Sequence, residues 1–227
     1  MFNNKKVGAI IVAAGSASRM GGIDKIFFSL ADKPILARVV AAFEAAPSVD
    51  QVVVVLAEHN LERGRILGLA EGWQKVGSFI PGGALRQDSV KAGLAVLSEC
   101  EWIVIHDGAR PLVTVKLIEE GLLAATGTGG AIAAVVVVDT IKQARSGLIT
   151  STLPRDELYA AQTPQVFRAD ILRKAYSMAR GEYTDDASLV EVMGHQVRLF
   201  PGEYSNIKVT TPTDLALAEA LWQRKGR

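Results

Sequence analysis

The sequence VGAIIVAAGSASRMGGIDK, residues 7–25, joins an apolar run to a stretch of small residues that ends in charge. The apolar run has the continuous aliphatic character of a strand that is buried on both faces of a parallel sheet. Small residues after such a strand let a ligand approach the backbone, and Arg19 and Lys25 bring positive charge to the same place. The stretch therefore predicts a buried strand followed by a loop that suits phosphate groups.

Three further runs share this buried-strand character, and helical patterns lie between them. The runs are QVVVVLA (51–57), EWIVIHD (101–107) and GAIAAVVVVD (130–139). The helical patterns are KPILARVVAAFEAA (33–46), LRQDSVKAGLAVLSE (85–99) and TVKLIEEGLLAAT (114–126). This alternation predicts a three-layer, doubly wound α/β fold with a mostly parallel sheet. In such sheets ligands bind at the carboxyl ends of the strands.

Residues 139–165 break the alternation, because they contain the hairpin-like sequence ARSGLITSTL and no helix-length apolar stripe. We expect this segment to leave the core. The rest of the chain predicts helices in ADILRKAYSMAR, TDDASLVEVMG and TPTDLALAEALWQR, and short strands in QVRLFPG and NIKVT. No evident linker divides residues 1–227, so we expect a single domain.

Charge and composition exclude several classes of function. The 25 basic and 24 acidic residues give a formal net charge of +1, so no global field attracts nucleic acid or an anionic membrane. Cys100 is the only cysteine, which excludes an intrachain disulfide and a cysteine-based zinc site, and the three histidines lack metal-ligand spacing. The apolar runs are too short to span a bilayer. We expect a soluble protein.

The N-terminal region allows two other interpretations. Lys5 and Lys6 before the first apolar run resemble a secretory signal with a small-residue cleavage site, although cleavage would remove the first strand. The loop is not a Walker loop, and it lacks GxGxxG because position 17 is alanine. Taken alone, it also fits a glycine-rich turn with two solvated cations.

Six motifs resemble, in order and spacing, those of the 2-C-methyl-D-erythritol 4-phosphate cytidylyltransferase family, which uses CTP in the non-mevalonate isoprenoid pathway. They are AAGSASRMGGIDK (13–25), PGGALRQDSV (81–90), HDGARP (106–111), DTIK (139–142), AAQTPQVF (160–167) and NIKVTTPTDL (206–215). The resemblance covers essentially the whole chain. It implies a Rossmann-like nucleotidyltransferase fold with a protruding β-arm at about residues 139–160. Ribitol-5-phosphate cytidylyltransferases share several of these stretches, and a non-catalytic CTP-binding module is the alternative from another class.

The reaction that the resemblance implies is transfer of CMP from CTP to 2-C-methyl-D-erythritol 4-phosphate, with release of pyrophosphate. A phosphate monoester has a second pKa of about 6, so its oxygen can attack the α-phosphorus without a general base. Two polyanions must meet, and negative charge grows on the α-phosphate and the leaving group. Cations positioned in advance are therefore the expected catalytic groups.

The resemblance also implies roles for individual residues. Arg19 and Lys25 match the catalytic cations, and Lys25 is the first candidate. Asp107 matches a carboxylate that resembles a Mg²⁺ ligand, and one aspartate suffices because Mg²⁺ keeps several waters and takes phosphate oxygens; the alternative is an aspartate that caps the next turn. The residues expected to bind the nucleotide are Ala13, Ala14, Gly15, Gly82, Gly83, Arg86 and Ser89.

The acceptor, a small polyol phosphate, is assigned by the same resemblance to Thr140, Arg155 and Lys208. Thr140 and Arg155 stand at the two ends of the irregular segment, which in this family embraces a second subunit. The resemblance therefore implies a homodimer with shared active sites, located in the cytoplasm, or in the plastid stroma if the source is a plant.

Other polar residues are expected to have structural roles. Asp185 and Asp186 are expected to cap the following helix rather than to form a catalytic pair. His106 is expected to be structural, and Arg110 to brace Asp107 or its loop. Ser205 stands where relatives often have an acidic residue, so the pattern does not establish a second carboxylate near the metal.

Overall fold

The computed structural model describes residues 1–15 and 24–225, and its centre is a seven-stranded sheet. The strands in chain order are β1 (Val7–Ala13), β2 (Ser29–Leu30), β3 (Lys33–Pro34), β4 (Gln51–Leu56), β5 (Val76–Pro81), β6 (Trp102–Asp107), β7 (Gly130–Val136), β8 (Lys142–Arg145), β9 (Leu148–Thr152), β10 (Tyr159–Arg168) and β11 (Arg198–Pro201). The helices are α1 (Ile35–Ala45), α2 (Leu61–Glu71), α3 (Arg86–Val96), α4 (Val115–Ala125), α5 (Ala169–Met178), α6 (Asp186–Val192) and α7 (Pro212–Lys225).

The sheet has the order β11-β7-β10-β6-β1-β4-β5. β10 runs antiparallel to both of its neighbours, and the other neighbouring pairs are parallel. From β1 the chain continues to β4 and β5 on one side, whereas from β6 it continues to β7 and β10 on the other. The carboxyl ends of β1 and β6 therefore flank the place where a doubly wound sheet binds ligands.

Successive residues of β1 point to opposite faces of the sheet, which is why the strand is apolar throughout. Val7, Ala9 and Ile11 pack in one cluster with apolar residues of α1 and α4. Ile10 packs in a second cluster with residues of α3, α5 and α6 on the other face. The helices thus form the two outer layers of a three-layer α/β fold, as the alternating pattern predicts.

Most of the predicted elements are present, but three parts of the chain differ. The prediction of a strand in NIKVT is wrong, because residues 206–210 form no strand. The amide of Val209 donates a backbone hydrogen bond to the carbonyl of Ala109 at 2.8 Å. β10 was not predicted, because Pro164 has no amide hydrogen and the pairing with β7 shifts register between Ala161 and Gln165. α2 and β5 were not predicted either. The buried positions of α2 are Gly64 and Gly68, so the sequence of this helix shows no apolar stripe.

The arm is a separate two-stranded hairpin of β8 and β9. Ser146 and Gly147 between them have φ angles of 52° and 81°, the left-handed conformation that a two-residue hairpin turn needs. Residues 142–150 are all exposed. The predicted hairpin and its departure from the core are confirmed. Within the described ranges, no helix combines the length and apolar character that crossing a membrane requires.

The packing of α4 predicts opposite effects for two adjacent leucines. Leu122 is 0% exposed and Leu123 is 62% exposed. We expect Leu122→Ala to lower the free energy of unfolding by about 2–5 kcal/mol, because it leaves a cavity in the core. The matched variant Leu123→Ala should change it by less than about 0.5 kcal/mol. Urea unfolding followed by circular dichroism measures both, and equal losses would contradict the described orientation of α4.

Candidate active site

A cavity of about 400 Å³ opens at the carboxyl ends of β1 and β6 and is closed by the loop before α3. It brings together most of the residues predicted from the sequence: Ala13, Ala14, Gly15, Lys25, Gly83, Arg86, Ser89, Asp107 and Lys208. Gly82 stands just behind this lining. A Cβ atom there would lie 2.3 Å from Cβ of Ala14 and 2.7 Å from Oγ of Ser89, so only glycine lets these two loops approach.

Two further predicted residues lie away from this lining. Thr140 and Arg155 are exposed on the arm, where Nη1 of Arg155 donates a hydrogen bond to the carbonyl of Val138 at 3.0 Å. Their assignment to the acceptor stays a prediction. Arg19 lies outside the described residues, and its role stays a prediction.

Asp107 is the buried anion of the cavity. Its Oδ2 lies 2.7 Å from Nζ of Lys208 and 3.9 Å from Nε of Arg110, and its Oδ1 accepts a hydrogen bond from Nε of Arg86 at 3.3 Å. Burial alone would raise the pKa of the carboxyl group. Lys208 and Arg86 outweigh burial and hold the pKa well below its ordinary value, so Asp107 is ionised.

Arg86 begins α3 and links Asp107 to a second buried carboxylate. Its Nη1 donates to Oδ2 of Asp186 at 2.7 Å, and the hydroxyl of Tyr176 donates to Oδ1 of Asp186 at 2.6 Å. Burial disfavours the charged guanidinium, but Asp186 and Asp107 raise the pKa of Arg86 above its usual range. The expectation that Asp186 caps α6 is therefore wrong. Asp185 is the cap, because its Oδ1 accepts a hydrogen bond from the amide of Ser188 at 3.0 Å.

His106, the residue before Asp107 in β6, is a neutral histidine that is hydrogen-bonded on both sides of its ring. Nε2 of His106 lies 3.2 Å from the carbonyl oxygen of Arg110, which can only accept, so Nε2 carries the hydrogen. Nδ1 therefore accepts from the hydroxyl of Thr163 at 3.0 Å, and that hydroxyl accepts from the amide of Asp107 at 3.0 Å. The predicted structural role of His106 fits this chain of bonds.

Lys25 belongs to a short 3₁₀ turn, Lys25–Phe27, that is held from both sides. Ile26 and Phe27 are buried in the core. On the other side, Oδ2 of Asp24 accepts a hydrogen bond from Nδ2 of the buried Asn60 at 2.8 Å and lies 2.9 Å from Nε2 of His59. These contacts fix the backbone from which the Lys25 side chain reaches the cavity.

Sequence reasoning missed two groups of site residues. Thr210 lines the cavity beside Lys208, and it was overlooked because NIKVT reads as a strand. Tyr176 and Asp186 support Arg86 from helices that follow it by about ninety and a hundred residues, and no local sequence pattern signals a contact over that distance. Once the fold is known, Asp186 is identified by its complete burial.

This arrangement is suited to binding a polyanion. Cationic side chains from three parts of the chain, Lys25, Arg86 and Lys208, meet beside the ionised Asp107 at the ligand-binding edge of a doubly wound sheet. Such a constellation supplies positive charge to phosphate oxygens and a carboxylate to a hard cation. The fold and the site together define a protein of the nucleotidyltransferase class.

Comparison with known proteins agrees with this class and narrows it. The profile of the family described as "IspD: 2-C-methyl-D-erythritol 4-phosphate cytidylyltransferase" matches residues 7–224. A protein of that name from Dehalococcoides mccartyi (strain CBDB1) is 53% identical over 228 residues, which cover 100% of both chains. The crystal structure of the protein so named from Thermus thermophilus has a TM-score of 0.78 at 32% identity, over 94% of this chain and 98% of that one.

A second solved structure, titled 4-diphosphocytidyl-2C-methyl-D-erythritol synthase and taken from Anaerococcus prevotii DSM 20548, has a TM-score of 0.86 at 26% identity. It covers 97% of each chain. The chain therefore belongs to the 2-C-methyl-D-erythritol 4-phosphate cytidylyltransferase family, and the resemblance drawn from the six motifs is confirmed.

Buried His106 predicts a loss of stability in mild acid. Burial lowers its pKa from 6.5 to about 4, so below pH 6.5 the unfolded chain takes up a proton that the folded chain does not. Stability from this group is present above pH 6.5 and is lost as the pH falls towards 4. We expect a loss of about 2 kcal/mol between pH 7 and pH 5.

Urea unfolding at each pH measures this loss, and His106→Gln is the matched control because it cannot titrate. The variant should show a shallower dependence on pH over the same window, whatever its stability at pH 7. Parallel curves for the two proteins would mean that folding does not change the proton uptake of His106, which would contradict its lowered pKa.

Proposed function

We propose that this protein transfers the CMP group of CTP to 2-C-methyl-D-erythritol 4-phosphate in the cavity at the carboxyl ends of β1 and β6. The products are 4-diphosphocytidyl-2-C-methyl-D-erythritol, a precursor in isoprenoid biosynthesis, and pyrophosphate. Family membership supports the reaction. The observation that supports the location is that Lys25, Arg86, Asp107 and Lys208 line one cavity.

The nucleotide is assigned to the side of the cavity formed by the first loop and the start of α3. Ala13, Ala14 and Gly15 expose backbone there, and Gly83 and Ser89 leave room for a flat base and its ribose. The amide of Gly83 donates to Oγ of Ser89 at 3.2 Å, which fixes the loop before α3 to the first turn of that helix. The small residues suit close approach of the ligand to the backbone.

Lys25 and Arg19 are the proposed catalytic cations. In the transition state, negative charge grows on the oxygens of the α-phosphate and on the departing pyrophosphate, and a cation held beside them stabilises that state more than the bound substrate. The turn that carries Lys25 is anchored through Asp24 and the core, so little reorganisation is needed. No base is required, since the acceptor phosphate is already a dianion near neutral pH.

We propose Asp107 as the protein ligand of a Mg²⁺ cofactor. Its carboxylate fits that ion, because it is ionised, lines the cavity and needs only water and phosphate oxygens to complete the coordination. When bound, Mg²⁺ neutralises charge on the phosphate oxygens. Lys208 holds Oδ2 of Asp107 at 2.7 Å, and Lys208 is also a proposed acceptor residue, so its ammonium can turn from the carboxylate to the acceptor phosphate.

We also propose a homodimer in which the arm completes the partner's active site. The arm carries Thr140 and Arg155, which lie outside the cavity of their own chain, and exposes Leu148 and Ile149 at its tip. A groove at its base, lined by Val136, Tyr159, Leu199 and Tyr204, is apolar and open. Exposed apolar surface of this kind marks interaction sites.

A cytoplasmic location is proposed as well. Cys100 is a buried free thiol, which is typical of reducing compartments. The similar proteins reported above come from bacteria, which favours the cytoplasm over a plastid stroma.

The proposed function is tested by the release of pyrophosphate from CTP and by one substitution. The wild-type protein should release pyrophosphate with 2-C-methyl-D-erythritol 4-phosphate, and chelation of Mg²⁺ should abolish this release. Lys25→Ala should lower kcat by about 100-fold or more, because a preorganised cation is lost, whereas CTP affinity should change far less. Calorimetry measures the affinity separately.

Two controls complete this test. Lys91→Ala removes an exposed lysine of α3 and should leave kcat unchanged. Ribitol 5-phosphate in place of the methylerythritol phosphate should give little turnover, and a preference for ribitol 5-phosphate would replace the proposed acceptor. Full activity of Lys25→Ala would remove Lys25 from the mechanism, and CTP binding without turnover in the wild type would favour a CTP-binding module.

Shared active sites predict that two inactive variants restore each other. In a mixed dimer of Lys25→Ala and Arg155→Ala, one site carries both defects and the other carries neither, provided that the arm serves the partner's cavity. The isolated mixed dimer should then have about half of wild-type activity, because one of its two sites is intact. Coexpression with two affinity tags isolates the mixed dimer. If the arm served its own cavity, every site would keep one defect and no activity would return.

A further inference from the structure

The residue pair Asp185 and Asp186 stands at the start of α6, yet the two carboxylates point to different partners. Asp185 caps the helix, whereas Asp186 is fully buried and contacts the guanidinium of Arg86. We propose that Asp186 is a positioning residue: together with Tyr176 it fixes Arg86 so that the remaining guanidinium nitrogen binds the nucleotide. This inference rests on the proposed function.

The contacts of Arg86 leave one nitrogen for a ligand. Nη1 donates to Asp186 at 2.7 Å and Nε donates to Asp107 at 3.3 Å. Nη2 has no hydrogen-bond partner among residues 1–15 and 24–225, and Arg86 lines the cavity. Because the guanidinium is planar and rigid, fixing two of its nitrogens also fixes the direction of the third.

Asp186 can hold Arg86 in place because it is itself held from two other elements. Its Oδ1 accepts from the hydroxyl of Tyr176 in α5, and its backbone amide donates to Oε1 of Gln165 in β10 at 3.1 Å. One carboxylate oxygen is thus used by Tyr176 and the other by Arg86. The anchor does not depend on any residue that touches the cavity other than Arg86 itself.

The charges of the site show why a second carboxylate is needed. Asp107 already faces Lys208 and Arg110 in addition to Arg86. Without Asp186, Arg86 would be left with Asp107 as its one anionic partner in the described structure, and its fork would turn towards that carboxylate. Nη2 would then no longer be directed at a ligand, and Lys208 would lose part of its own contact. With Asp186 in place, Arg86 can bind the nucleotide while Asp107 keeps its contact with Lys208.

This inference predicts a selective loss of nucleotide affinity. We expect Asp186→Asn to raise KM and Kd for CTP by about tenfold or more, because a misdirected charge-assisted hydrogen bond is lost, while kcat changes by less than about threefold. Tyr176→Phe keeps both charges and removes one bond of the anchor, so it should give a smaller rise in the same direction. Kd is measured by calorimetry on folded protein, and KM by pyrophosphate release.

The matched control is Asp185→Asn, one residue away. It keeps a side-chain oxygen that caps α6, since asparagine caps helices as well as aspartate does, and it removes the acceptor of the bond from Nε2 of Gln165 at 2.9 Å. It does not contact Arg86, so it should leave the Kd for CTP within about twofold of the wild type, with a lower Tm only from the lost bond to Gln165. The double variant Arg86→Ala/Asp186→Asn should bind CTP no more weakly than Arg86→Ala alone, since the anchor acts only through Arg86.

The outcomes separate this inference from the proposed function. If Asp186→Asn does not fold, because a buried charge has lost its partner, Tyr176→Phe carries the test. An unchanged Kd for CTP in Tyr176→Phe and in any folded Asp186→Asn protein would overturn the positioning role. Absence of CTP binding by the wild-type protein would instead contradict the proposed function.

Discussion

A carboxylate at the end of a strand that is buried on both faces stays ionised only if cations reach it. Asp107 is in this situation, and Lys208, Arg86 and Arg110 are the cations. They come from the loop after β11, the start of α3 and the turn after β6. Since removing any one of them would leave a buried charge poorly compensated, these separate parts of the chain are held together at one point. The geometry of the site therefore depends on the packing of all three parts of the chain.

The surroundings of Asp107 differ on its two sides, and this difference gives the site its direction. Arg86 and Lys208 line the cavity together with Asp107. Away from this lining, Asp107 faces Arg110 and is linked through Thr163 to the neutral His106. The two lining cations and the carboxylate are therefore the charges that the site presents to whatever binds in the cavity.

The sequence predicts the parts of this site that depend only on neighbouring residues in the chain. Small residues after β1, glycines before α3 and an aspartate at the end of β6 each stand next to the element that presents them, and the family resemblance adds Lys208. The parts that were missed depend on contacts between distant positions. Asp186 sits where a cap is expected, and only the approach of Arg86 a hundred residues away reveals its role. β10 was missed for a related reason, because Pro164 and its polar neighbours suggest a turn, whereas β6 and β7 on either side hold the segment as a strand.

The arm presents the opposite physical problem from the core. A two-stranded hairpin is marginally stable in water when nothing packs on it, and β8 and β9 pair only with each other among the described strands. Leu148 and Ile149 are 75% and 66% exposed at its tip, so the hairpin carries apolar area that its own chain does not cover. A second copy of the chain would bury this area and would bring Thr140 and Arg155 towards a cavity that their own chain does not offer them. Stability of the arm and completion of the acceptor site then have the same cause, which is why the proposed dimer accounts for both.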